Sequence, residues 1–163
     1  MYTFSIPPSS RQNVRVQGFT LIEVLVVIGI IAVLAAIVLV AVNPARQFKL
    51  ARDSQRTSNV NALLNAIHQN MAEHRGVFTC GGAPHSLPST AEVVMSTTTP
   101  GYSGDIAPCI VPDYISAMPF DPLAGNYTGT SSYDTGYVIW QGTDGRVTAS
   151  STGELIAAIS VTR

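Results

Sequence analysis

Between Gly18 and Asn43 the chain reads FTLIEVLVVIGIIAVLAAIVLVAV, a run of 24 residues from Phe19 to Val42 in which Glu23 is the single charge. As a helix rising about 1.5 Å per residue this run is roughly 36 Å long, more than the roughly 30 Å hydrocarbon core of a bilayer. No other conformation suits it, because a segment facing lipid must satisfy its backbone hydrogen bonds internally. What remains of the 163 residues is enough for one small core and not for two.

The flanks define four segments. Residues 1–18 carry Arg11 and Arg15, no acid, and the pair Pro7-Pro8, and they have the character of a processed leader. An ordinary secretory signal places its small-residue cut after the apolar stretch and loses it. Here the small residue, Gly18, comes before, so a cut at Gly18 leaves the apolar helix, residues 19–42, on the mature chain. Asn43-Pro44 then punctuates, since proline lacks an N–H and disfavours helical geometry in the residue before it. In residues 43–75 the apolar positions Val60, Leu63, Leu64, Ile67 and Met71 recur at helical spacing, which predicts an amphipathic helix that ends at Gly76.

Residues 76–163 lose that period and become rich in Gly, Pro, Ser and Thr. A short helix is expected within Ser86 to Met95, with Thr90-Ala91-Glu92 near its start. Tyr137-Val138-Ile139-Trp140-Gln141 predicts a strand, and Gly142-Thr143-Asp144-Gly145 turns it into a second, Arg146 to Ala149. Leu155 to Val161 fits a third strand or, through its alanines, a helix. The fold class expected is α+β: a long N-terminal helix, membrane-spanning in its first half and amphipathic in its second, packed on a small antiparallel sheet.

Charge is divided along the chain. Residues 43–75 hold five bases against two acids, net +3, and residues 76–163 hold two bases against seven acids, net −5. Nucleic acid is not the natural partner of an acidic head on bulk electrostatics, and no direct nucleic-acid contact is expected of it. Cys80 and Cys109 both lie in the head, and an even count in a small exported domain favours one disulfide over two free thiols.

Glu23 has two explanations on position alone. It can sit at headgroup level in the first helical turn, where the macrodipole favours negative charge. Alternatively it awaits a positive partner, and a cut after Gly18 creates one by freeing the amino group of Phe19. In a stack of identical helices the amine of one subunit can meet the Glu23 of its neighbour, and staggered registers would leave charges unpaired.

Gly18-Phe19-Thr20-Leu21-Ile22-Glu23 followed by an apolar helix resembles the prepilin cleavage and methylation motif shared by type IV pilins and the pseudopilins of type II secretion systems. The resemblance implies cleavage between Gly18 and Phe19 by a prepilin peptidase, N-methylation of Phe19 and an assembly role for Glu23. It further implies a homopolymer through the N-terminal helices, an inner-membrane assembly platform, and a single-pass precursor with its leader in the cytoplasm and its head outside. Ala51 to Arg56 also resembles the soluble half of pilin helices. The pilin fold, a long helix whose second half packs on an antiparallel sheet, agrees with the layout expected from periodicity. A membrane-anchored binding protein that never polymerises is the rival from another class.

Chemistry elsewhere is sparse. His68, His74 and His85 do not share a helical face and are expected at the surface, and no nucleophile elbow, phosphate loop or dinucleotide fingerprint occurs, so no enzyme is expected. Asp121, Asn126, Asp134 and Asp144 offer hard oxygen ligands for calcium in turn-rich sequence, but without EF-hand spacing, and Asp-Pro and Asp-Gly are ordinary turn pairs. No cofactor is expected beyond that candidate. Trp140 and the tyrosines Tyr102, Tyr114, Tyr127, Tyr133 and Tyr137 are expected mainly to pack the head.

Overall fold

The structure is a computed structural model that describes residues 18–89, 93–97 and 104–163. The leader before Gly18, Thr90-Ala91-Glu92 and Tyr102 lie outside the described residues. The chain divides into two units, one ending at Asn43 and the other spanning Pro44–Arg163.

In the first unit, helix α1 covers Leu21–Val42 and buries none of its residues. It is long and apolar enough to cross a membrane. Asn43 closes it in the left-handed region at φ 45°, a conformation that asparagine tolerates better than most residues.

The second unit opens with helix α2, Pro44–Glu73, its proline at a position where a missing N–H does no harm. Val60, Leu63, Leu64 and Ile67 are fully buried and Met71 is packed against them, so the apolar stripe is where its spacing predicts. The helix stops at Glu73 through a Schellman arrangement in which Gly76 N–H donates to Met71 O at 2.7 Å. Arg75, at φ 59°, occupies the left-handed position, and Gly76 follows at φ 88°.

A two-stranded ribbon comes next, β1 (Thr79–Cys80) antiparallel to β2 (Ala83–Pro84). The main sheet holds β3 (Val93–Ser96), β4 (Asn126–Gly129), β5 (Ser132–Gln141), β6 (Val147–Ser151) and β7 (Ile159–Thr162), and all its pairings are antiparallel. A four-residue helix, α3 (Ala107–Ile110), precedes β4. Strand β5 organises the sheet. Asp134 is register partner to both Ser96 of β3 and Asn126 of β4, so those strands lie on opposite edges of β5, and β4 shares its edge with β6 further along. Along β5, Tyr133, Thr135, Tyr137 and Ile139 are buried and their neighbours are not, the period of a strand with one covered face. Helix α2 lies against β6 and β7.

Two expectations need correction. Where Ser86 to Met95 was expected to hold a short helix, its far end is strand β3, because Val93 pairs with Ile139 and Val94 with Val138, and β-branched residues suit a ladder. The Leu155 to Val161 segment is neither all strand nor helix: β7 starts only at Ile159, and the residues before it form a loop anchored on α2.

Candidate functional site

At the start of α1 the sequence Thr20-Leu21-Ile22-Glu23 closes a capping box. Thr20 N–H and Thr20 Oγ1 each donate to Glu23 Oε2 at 2.8 Å, and Glu23 N–H donates back to Thr20 Oγ1 at 3.3 Å. This satisfies amides that a helix start leaves without partners. The two residues before it, Gly18 and Phe19, lie outside the helix and are exposed, Phe19 at 88%. Gly18, Phe19 and Glu23 thus fall within six consecutive residues at the start of an unburied apolar helix.

The second constellation lies in the other unit, where α2 continues its buried stripe with charges. Asp53 and Arg56 are one turn apart on the same face as Val60, and both are buried. Arg56 reaches three carboxylates: Nε donates to Asp121 Oδ2 at 2.6 Å, and Nη1 donates to Asp53 Oδ1 at 2.9 Å and to Glu154 Oε1 at 3.1 Å. Arg52 joins from one turn earlier, Nε and Nη2 donating to Glu154 at 2.5 and 2.7 Å. Asp53 also accepts the backbone N–H groups of Glu154, Leu155 and Ile156 at 2.9, 2.9 and 3.3 Å. Asp121 likewise accepts the amides of Leu123 and Ala124.

The electrostatic consequences follow from those partners. The amides of Glu154 and Leu155, helped by Arg56, hold the Asp53 carboxyl well below its usual range against the effect of burial. Burial pushes Asp121 up, but Arg56 and the two amides outweigh it and leave it lowered. Arg52 and then Arg56 bring Glu154 down to about 2. Arg56 itself is raised, chiefly by Asp121.

Asn70 is a third polar group inside the head, and every polar end of its side chain is used. Its Nδ2 donates to Thr79 O and Cys109 O at 2.9 and 3.2 Å, and its Oδ1 accepts Thr79 N–H at 2.8 Å. Cys80 and Cys109 beside it are joined as a disulfide with Cα atoms 4.4 Å apart.

The calcium candidates are dispersed in their bonding. Asp121 serves Arg56, Asp134 caps Gly136 N–H, and Asp144 accepts Arg146 N–H, while Asn126 faces Asp134 across β4 and β5. Among the described residues no three His, Cys, Asp or Glu are grouped to hold a metal ion. The histidines also depart from expectation. His68 and His74 are half-buried and hydrogen-bonded to Leu64 O and Asn70 O one turn back, and His85 is off the helix with its ring edge against Phe78. Tyr133 and Tyr137 pack the core, as expected of aromatics in so small a head.

Sequence reasoning missed the Arg56 cluster because a charged pair on a helix normally signals a solvated face. The available signal was phase: Arg56 lies four residues and Asp53 seven residues before Val60, so both continue the stripe that runs on through Leu63.

The fold and the N terminus define a class: α+β proteins of pilin-like architecture that carry a prepilin-type N terminus. The family model described as "Prokaryotic N-terminal methylation motif" matches residues 13–39. Among characterised proteins the chain is similar to "Prepilin peptidase-dependent protein D" of Escherichia coli (strain K12), 41% identical over 76 residues. That match covers 45% of this chain and 49% of the relative, so the chain spans about half the length of the protein it resembles. No solved structure matches. The apolar helix together with the methylation motif fits a membrane-anchored precursor.

Proposed function

We propose that this chain is a structural subunit, a pilin or pseudopilin, which polymerises into a type IV pilus-like filament. It is made as a single-pass precursor of the cytoplasmic membrane, with the leader inside and the head outside. A prepilin peptidase cuts between Gly18 and Phe19, Phe19 is N-methylated, and an inner-membrane platform draws the subunit into an extracellular or periplasmic polymer. The observation that carries this reading is the exposed Gly18-Phe19 junction placed just before an unburied 22-residue apolar helix whose first turn holds Glu23. The motif match over residues 13–39 supports it, and so does the relative whose printed name makes it dependent on a prepilin peptidase.

The role is architectural. An apolar helix with no residue buried among the described ones is covered by lipid before assembly and by other helices after it. The repeating contact is heterologous, since only such a contact grows an open filament.

Gly18→Leu tests this reading in cells that make the processing and assembly machinery. The expected result is an uncut precursor, seen by intact mass, and no filaments by electron microscopy. Filaments of wild-type number from that variant would overturn it. The anchored, non-polymerising rival predicts no filaments even from the wild-type chain.

A further inference from the structure

Among the described residues one buried side-chain nitrogen or oxygen lacks a hydrogen-bond partner, Nε2 of His85. Such groups are scarce in folded proteins, because burial strips them of water and returns nothing, and each asks for an explanation. Looseness does not supply one. His85 follows directly on β2, its main-chain N–H donates to Phe78 O at 2.8 Å, and its ring stands edge-on to that of Phe78 with centroids 5.9 Å apart. The neutral tautomer with its proton on Nδ1 leaves Nε2 a bare lone pair shut away from solvent.

His85 lines a cleft of about 380 Å³ in the head, together with Met71, Val77, Phe78, Leu87 and Gln141. Met71 reaches it from the last turn of α2, where its carbonyl takes the Gly76 N–H and the chain folds back. It is half-buried, whereas Met95 and Met118 are sealed in the core. The cleft therefore offers one imidazole lone pair and one thioether. No carboxylate, lysine or arginine is found among its described lining residues. Calcium and magnesium need a shell of oxygen ligands and do not match, and zinc asks for more nitrogen, sulfur or oxygen donors than this pair supplies. Thioether and imidazole suit copper(I), a soft ion content with few donors. Its single charge also costs less to bury among apolar walls than a double one.

We propose that this cleft is a copper(I) site, with Nε2 of His85 and Sδ of Met71 as its ligands. No thiol competes for the ion, because the two cysteines of the chain are joined to each other. The bound ion links the end of α2 to the segment that leaves β2. The site does not depend on whether the chain polymerises.

The test uses the full precursor in detergent micelles, its disulfide intact, with silver(I) as the probe, an ion of the same charge and softness that air does not oxidise. Native mass spectrometry should show a single silver ion bound per chain. On titration, the NMR signals of His85 Nε2 and the Met71 methyl group should move most. His85→Phe keeps a ring in place without the nitrogen, and Met71→Leu keeps the volume without the sulfur. Each should weaken silver(I) binding about tenfold or more while thermal melting shows the head still folded. His68→Gln, at a position that does not line the cleft, should bind as the wild type does. No silver(I) uptake, uptake unchanged in His85→Phe or in Met71→Leu, a loss in His68→Gln, or zinc(II) bound as tightly as silver(I) overturns the proposal. If a variant fails to fold, the wild-type titration decides, and signals that move elsewhere than at His85 and Met71 overturn the site.

Discussion

Arg56 is the residue on which the head's polar interior turns, since one guanidinium serves Asp53, Asp121 and Glu154. Arg56→Met keeps the volume of the stem and leaves Asp53 and Asp121 buried without their cation. Removing one partner of such a set costs about 3–5 kcal/mol, so urea unfolding should show a loss of that size. The same cluster sets an acid limit. Unfolded, these carboxyls titrate near about 4, and folded they are lowered, Glu154 to about 2. The unfolded chain thus binds more protons in this window, so stability is fully present above about pH 5 and falls as pH drops from about 4 towards about 2. Unfolding free energies measured across that window should show the slope, and it should be shallower in Asp121→Asn. At the other end of the molecule Glu23 both closes a capping box and carries a charge, and one substitution separates the two roles. Glu23→Gln can still accept from Thr20 and keep the box, but it has no charge for a neighbour's amine. If the charge registers subunits, this variant is cut normally and assembles poorly. Normal assembly would leave Glu23 as a cap and nothing more.

Among elements, the 152–156 loop shows how a glycine shapes a charge site. A Cβ on Gly153 would stand 2.1 Å from Ile156 O and 3.3 Å from Asp53 Oδ1, so the loop could not fold tightly enough to aim three amides at Asp53. Gly153→Ala should destabilise the head by about 1–3 kcal/mol, read by thermal unfolding, with faster amide exchange at Leu155 and Ile156. This element also marks where legibility ended. Helix α2, its apolar stripe and the β5–β6 hairpin are written in local period and turn chemistry, and their residues stand where spacing predicted. The loop has no period. Its conformation is fixed by Asp53, a hundred residues earlier, and pairings across such separations leave no mark on neighbouring sequence. Strand β3 was misassigned for a related reason, since its partner is β5, some forty residues on. The apolar helix α1 was the most legible element, because its length and composition leave one conformation open.

At the scale of the whole molecule, the two units rely on different supports. Helix α1 buries none of its residues among the described ones and depends on whatever surrounds it. The second unit must hold a small core by its own means, and a cross-link is one of them. The bond between Cys80 and Cys109 spans 29 positions, ties the β1–β2 ribbon to α3, and adjoins Asn70, which binds the backbone of both Thr79 and Cys109. In the chain-entropy model, closing a loop of that length contributes about 3–4 kcal/mol through the unfolded state. A double Cys80→Ser, Cys109→Ser variant should therefore unfold at lower denaturant by about that free energy. The variant's α2 stripe and β5–β7 sheet have their own ladder and core, so amide protection there should persist below the transition while protection in residues 77–85 and 107–110 is lost first. If protection falls uniformly instead, the ribbon and the sheet form one cooperative unit and the disulfide staples the whole head.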